Sequence, residues 1–129
     1  MRYSHDSWSI ELPQNWQVEE ETEMVAFFHE DGVGNFEVST FFADQEEITI
    51  DDILEFAEVD DADQVTFEYL SGIHKVEVEE DESVYQWWLS ISNQMVYATY
   101  VCPVGSEDIE SEEREAMIRS LRSSVSVLD

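Results

Sequence analysis

The sequence predicts an α+β domain: an antiparallel β-sheet of about six or seven strands with helices packed on both faces. Three observations predict it. The stretch Val84–Cys102 reads as two strands around a turn at Ser92-Asn93-Gln94, and it is the most apolar and aromatic part of the chain. Neither of its strands carries a charge or a clean polar face, so the hairpin is expected to be covered on both sides. Two other stretches, near 51–59 and after Ser106, carry apolar residues at helical spacing and can supply covers. A chain of 129 residues with 43% apolar and 12% aromatic residues is enough for one domain, 1–129, with a core of its own.

The strands follow in order from their period of two. Ser7–Leu12 sets Trp8, Ile10 and Leu12 against Ser7, Ser9 and Glu11, and Pro13 ends it. Trp16 and Val18 open a second short strand, with Glu19–Glu23 as a solvated link. Met24–His29 is a nearly continuous apolar run of strand length. Glu30–Asn35 is a hairpin loop whose two glycines can take positive φ. Phe36–Phe42 is the partner strand, with Phe36, Val38 and Phe42 on one face and Glu37, Ser39 and Phe41 on the other. After the polar loop Ala43–Glu47, Thr49 or Asp51 caps a helix with Ile50, Ile53, Leu54 and Ala57 in one stripe, widened by Phe56. Val65–Leu70 is a short strand, Ser71-Gly72 a turn, and Ile73–Val78 alternates. Glu79-Glu80-Asp81-Glu82 is a charged hairpin tip that must face water.

In the hairpin itself, Tyr85, Trp87, Leu89 and Ile91 face one way and Val84, Gln86, Trp88 and Ser90 the other. The C-terminal helix, capped by Ser106 or Asp108, has acid in its first turns and Arg114, Arg119 and Arg122 later, as the helix dipole favours. Its expected buried stripe is Ile109, Ala116, Met117, Ser120 and Leu121, and it supplies one cover of the hairpin. The helix near 51–59 supplies the other or caps an edge. The tail Ser123–Asp129 adds a short strand or frays.

Charge narrows the function. There are 32 Asp and Glu against 5 Lys and Arg, a net charge of −27, and the acids fall throughout the chain rather than in one tail. Such a surface repels phosphate backbones and anionic lipid heads, which argues against nucleic-acid and membrane-surface binding. It attracts cations or a basic protein partner. No apolar run is long enough to cross a membrane as a helix, and the N-terminus lacks the basic and apolar segments of a secretory signal. The single cysteine, Cys102, forms no internal disulfide, so a reducing cytoplasm is the expected location.

Catalytic and metal motifs are weak. His5, His29 and His74 lack metal spacing and read as surface or edge-strand residues. Cys102 has little positive charge nearby to activate it and reads as a buried structural thiol. Asp60, Asp61 and Asp63 could hold Ca²⁺ only weakly, since no EF-hand pattern is present. No GxSxG elbow and no phosphate loop occurs. No catalytic residue, cofactor or metal ligand is assigned. Trp87 and Trp88 must point to opposite faces. Either both are core or one, Trp88, lies at an uncovered patch and anchors a partner. The candidate partner-binding set is Trp88 with Glu79, Glu80, Asp81 and Glu82.

The opening Trp8-Ser9-Ile10-Glu11-Leu12-Pro13 followed by Trp16 resembles the start of the PsbP-like superfamily. This superfamily includes the photosystem II extrinsic protein, the Mog proteins that bind the Ran GTPase, and small bacterial proteins. The Trp-bearing strand, the aromatic strand ending Ala98-Thr99-Tyr100-Val101-Cys102, and the helix ending Arg119-Ser120-Leu121 extend the resemblance over about the whole chain. It implies an antiparallel sheet with helices on both faces. It implies no shared catalytic set, since members act mostly by binding other proteins.

The expected function is therefore an acidic protein-interaction domain without catalysis that binds a basic protein surface, in one version an immunity-type protein that neutralises a toxin. The alternatives are an enzyme or small-ligand binder with a pocket between sheet and helix, and a halophilic housekeeping protein. Oligomeric state is not legible. With a net charge of −27, self-repulsion opposes folding, and salt shortens the Debye length from about 10 Å at 0.1 M to about 3 Å at 1 M. The urea midpoint is expected to rise across that range of NaCl. A midpoint that stays flat would refute charge repulsion as a destabilising force, and a chain folded only in molar salt would tie the acidity to solvent rather than to a partner.

Overall fold

The computed structural model describes residues 1–5, 7–42, 44, 47–59, 61–91 and 93–123. The elements run β1 (Arg2–Ser4), β2 (Trp8–Glu11), β3 (Trp16–Glu20), β4 (Val25–His29), β5 (Asn35–Phe42), α1 (Ile50–Ala57), β6 (Asp63–Thr66), β7 (Ser71–Glu79), β8 (Glu82–Ile91), β9 (Gln94–Pro103), α2 (Ser111–Ser120) and β10 (Arg122–Ser123). Seven strands form an antiparallel sheet in the order β3-β4-β5-β9-β8-β7-β6, and a small sheet has the order β1-β2-β10. Strands β8 and β9, the predicted hairpin, lie inside the large sheet, with β5 beside β9 and β7 beside β8.

Strand register explains why this hairpin has no polar face. Trp87 pairs with Ala98 and Trp88 with Tyr97, so consecutive rows put an aromatic on alternate faces. On the first face Trp87 stacks on the His74 ring at 4.6 Å and meets Phe36 at 6.0 Å. Its core continues through Phe27, Trp8 and Ile10 to Met117, Ile118 and Leu121. On the second face Trp88 shares a smaller cluster with Ile53, Ile73 and Met95, with its ring 5.3 Å from that of Tyr97. Burying each of these aromatic side chains contributes about 2–3 kcal/mol.

Helix α1 starts where the sequence expects. Thr49 accepts from the Asp52 N–H at 3.2 Å and the Asp52 carboxylate accepts from the Thr49 N–H at 2.9 Å, a reciprocal cap. The buried stripe is narrower than predicted: Ile53 is buried, while Leu54 and Phe56 face water. The C-terminal helix begins at Ser111, later than predicted. Ile109 is exposed, and Arg114 takes a buried position beside Met117 and Ile118. Strand β1, which the alternation pattern does not reveal, pairs with β2 from Arg2 opposite Glu11 to Ser4 opposite Ser9. Glu19 and Glu20, expected in a link, belong to β3.

Two further expectations change. The hairpin is covered on its second face only near the β8–β9 turn, where α1 lies. Further along, Val84, Gln86, Thr99 and Val101 stay partly exposed. Gly32 and Gly34 have no positive φ. They are glycines because a Cβ on Gly32 would collide with the Glu110 carboxylate and one on Gly34 with the Tyr100 ring. Of the predicted features, Ser92 in the turn, most of the loop 43–47, Asp60 in the acidic cluster and the tail beyond Ser123 lie outside the described residues.

Gly72 lies within β7 opposite Leu89, where a Cβ would meet the backbone carbonyl of Trp88. A carbonyl inside a seven-stranded ladder cannot retreat without breaking pairings. Gly72→Ala is expected to lower the unfolding free energy by about 3 kcal/mol, read from urea denaturation. A loss below about 1 kcal/mol would show that β7 and β8 can separate at this point.

Candidate functional site

The uncovered half of the sheet's second face is built by register. Glu37 of β5 pairs with Thr99 of β9, Thr99 with Gln86 of β8, and Gln86 with Lys75 of β7, so one polar row crosses four strands. The next row toward the β7–β8 tip is Asn35, Val101, Val84 and Glu77. The last pair is Glu79 opposite Glu82. Glu37, Thr99, Gln86, Val101, Val84, Glu79 and Glu82 from these rows line an open cleft of about 390 Å³. Its polar floor is Gln86, Tyr97 and Thr99, its apolar walls include Val84, Val101 and Met24, and three carboxylates, Glu37, Glu79 and Glu82, stand around it. No Lys, Arg or His lines it among the described residues. The nearest base in the rows, Lys75, sits with its Nζ 3.2 Å from Glu77 Oε1.

The floor holds a surplus acceptor. Gln86 Nε2 donates to the Tyr97 hydroxyl at 3.0 Å, while Gln86 Oε1 is buried with no hydrogen-bond partner among the described residues. What the cleft offers at its surface is three carboxylates, which suit a cationic ligand group such as an ammonium or guanidinium.

Of the predicted partner-binding residues, Glu79 and Glu82 line this cleft, and Glu80 and Asp81 form the exposed turn between them, with Glu80 at φ 54°. Trp88 does not join them. It is 5% exposed and enclosed by Ile53, Ile73 and Met95, so it is core rather than an anchor at an uncovered patch. Sequence reasoning missed Glu37, Gln86, Tyr97 and Thr99 as one group. The period-two alternation puts each opposite a core residue, but only the register of four strands aligns them.

A second polar cluster lies on the first face, under the start of α2. Glu110, 4% exposed, accepts from the Tyr100 hydroxyl at 2.6 Å and from the Gly34 N–H at 3.0 Å, pinning the β4–β5 loop to the hairpin. The Arg114 guanidinium lies 4.0 Å from the Tyr85 ring centre and 5.0 Å from that of Tyr100, and its Nη1 donates to the Glu107 carbonyl at 3.0 Å. Burial, and then the Glu110 carboxylate, push the Tyr100 hydroxyl far above its ordinary range. Burial also raises Tyr85, and it raises the Cys102 thiol, with Glu107 adding to the latter. A thiol pushed upward and enclosed has no nucleophilic role at neutral pH. The network ties elements together and presents no reactive group to solvent.

A third concavity, about 520 Å³, opens between β2 and the ends of β4 and β5, with His5, Ser7 and Glu23 in its wall. Ser7 is buried and its Oγ accepts from Gln94 Nε2 at 2.8 Å. Among the described residues no group of three or more His, Cys, Asp or Glu is placed to hold a metal ion. Of the predicted cation cluster, Asp61 and Asp63 are both exposed. No helix among the described residues is long and apolar enough to cross a membrane.

Against solved structures, the chain is similar to a crystal structure from Bacteroides thetaiotaomicron VPI-5482, with a TM-score of 0.76 and 22% identity over 92% of this chain. This chain spans 45% of that one. It is also similar to the solution structure of cyanobacterial PsbP, CyanoP, from Synechocystis sp. PCC 6803, with a TM-score of 0.51 and 11% identity over 95% of this chain and 91% of the other. The fold is PsbP-like. At these identities the likeness extends to the fold alone. No protein-family profile and no curated protein matches the chain.

The Ser83 hydroxyl donates to Glu107 Oε2 at 2.6 Å, and this bond, followed by backbone N–H donors, holds the Glu107 carboxyl below its ordinary range. A depressed carboxyl stabilises the fold above its unfolded value and loses that contribution as pH falls through its folded value. Ser83→Ala is expected to raise the Glu107 titration toward the ordinary glutamate range in carboxyl ¹³C NMR, and to cost stability at neutral pH but not in acid. An unchanged Glu107 titration would reject the Ser83 bond as its main cause.

Proposed function

We propose that this PsbP-like chain is an acidic protein-interaction domain without catalysis that takes a basic segment of another protein into the cleft around Glu37, Glu79 and Glu82. One observation carries the reading: three carboxylates surround an open concavity that no basic side chain lines among the described residues. The net charge of −27 supports it, because a surface of that sign steers cationic partners toward it and turns nucleic acid and anionic lipid away. In this reading α1 and α2 cover opposite faces of the sheet, supported by the separate core clusters of Ile53 with Trp88 and of Met117 with Trp87. The resemblance to the superfamily that includes the Ran-binding Mog proteins supports a protein-binding role. A reducing cytoplasm suits a single buried free cysteine.

The test separates a site from mere charge. Glu37, Glu79 and Glu82 are changed together to Gln, and a control chain carries Gln at Glu55, Glu68 and Glu112, which are exposed elsewhere. Both lose the same charge. Against a panel of Lys- and Arg-containing peptides in calorimetry, the cleft variant is expected to bind about tenfold more weakly than the control, with affinity falling as salt rises. Equal weakening in the two variants would reduce the interaction to net charge and remove the cleft as its site.

A further inference from the structure

Strand β7 is longer than the strand that covers its outer side. β6 pairs with it only from Ser71 to His74. Among the described residues no strand lies on that side of Lys75–Glu79, so the sheet ends there in a backbone edge of five residues, about 17 Å long. A free strand edge presents N–H and C=O groups that water or another strand must satisfy.

The side chains of this edge are unusual for one facing only water. Val76 is 47% and Val78 65% exposed, both on the face that carries Tyr85, while Glu77 and Glu79 project to the face of the acidic cleft. Proteins ordinarily keep exposed β-branched residues off open edges. The opposite edge of this same sheet obeys that rule: in β3 the exposed positions are Gln17, Glu19 and Glu20, and Trp16 and Val18 turn toward the core.

We propose that Val76–Glu79 is an augmentation edge that takes one extended segment of a basic partner protein as an added strand. In an added strand, alternate side chains share a face with the residues they pair with. Lys or Arg would stand beside Glu77 and Glu79, and apolar residues beside Val76 and Val78, so the edge reads an alternating basic–apolar pattern. A second copy of the chain is a poor occupant. It would bring a charge of −27 against −27 and set a valine–glutamate edge against its equal. This inference rests on the proposed reading that the partner is basic, and it adds where the backbone docks and which sequence pattern is chosen. Glu79 belongs to both the edge and the cleft, which makes the two sites continuous.

The experiment uses the full chain and two synthetic peptides of one composition, Lys-Val-Lys-Val-Lys-Val and Lys-Lys-Lys-Val-Val-Val, with blocked termini. Binding is read by calorimetry and by amide hydrogen exchange. The alternating peptide is expected to bind at least tenfold more tightly than its block isomer and to slow exchange at amides within Val76–Glu79. Val78→Lys, a change at an exposed position that spares the fold, is expected to remove that preference while leaving Glu37 and Glu82 in place. Equal binding of the two isomers with exchange at Val76–Glu79 unchanged would overturn the edge and leave the basic-segment reading standing. Protection confined to β3 would also overturn it. Failure of both peptides to bind in dilute salt would overturn both.

Discussion

Two adjacent tryptophans on one strand must point to opposite faces, and most of this fold is a consequence of covering both. Trp87 and Trp88 lie in β8, where the ladder to β7 and β9 leaves no freedom to rotate one inward at the expense of the other. The first aromatic belongs to a deep core cluster with Trp8, Phe27, Phe36, Met117 and Ile118. The second belongs to a separate, smaller cluster with Ile53 and Ile73. A slip of one residue between β8 and its neighbours would exchange the two faces and place Gln86 in the main core, an arrangement that burying an unpaired amide forbids.

The charge is handled in the same terms. Nearly all carboxylates stay in water, where screening makes each repulsion small. Among the described residues the exception is Glu110, which is enclosed but satisfied by the Tyr100 hydroxyl and the Gly34 N–H. Nearby, Arg114 is enclosed against the rings of Tyr85 and Tyr100 instead of against a carboxylate. A guanidinium tolerates this because it is weakly hydrated and its face suits an aromatic quadrupole. With only 5 Lys and Arg in the chain, placing one of them inside is a structural choice rather than a spare solvated charge. It holds the start of α2 against the base of the hairpin.

The strands were legible because alternation is a local signal. Trp8-Ile10, Phe36-Val38 and Tyr85-Trp87-Leu89 announce their faces within six residues, and Thr49 with Asp52 announces a helix start within four. What escaped the sequence depends on non-local partners. Arg114 reads only as a cation placed for the helix dipole until two tyrosines from β8 and β9 are seen beside it. Ile109 reads as core until the helix is found to begin at Ser111, beyond it. Gly32 and Gly34 read as turn glycines because a loop invites that, whereas their constraint is the space taken by Glu110 and Tyr100 from distant segments. Strand β1 is three residues of mixed polarity, and its pairing with β2 defines it. For the candidate site, Glu79 and Glu82 were visible as a charge run, but Glu37, Thr99 and Gln86 come from three strands, and a single sequence carries no register between them.

The open cleft itself follows from a mismatch of lengths. Strands β8 and β9 have ten residues each, about 33 Å of extended chain, while α1 has eight residues, about 12 Å of helix. A helix that short, docked over Ile73, Trp88 and Met95, cannot also cover the rows of Gln86 and Val84. Those rows have to be compatible with water, and they are: Glu37, Thr99 and Gln86 supply polarity where Trp88 and Met95 would be untenable. The same shortage of cover recurs at the sheet edge, where β6 spans four residues against nine in β7. Both exposures fall at the β7–β8 end of the sheet, and the acids of that hairpin tip surround both. A surface that was merely solvated would need neither the apolar walls of Val84 and Val101 nor the exposed Val76 and Val78. Their presence within an acidic rim is what a cationic, partly apolar strand would require.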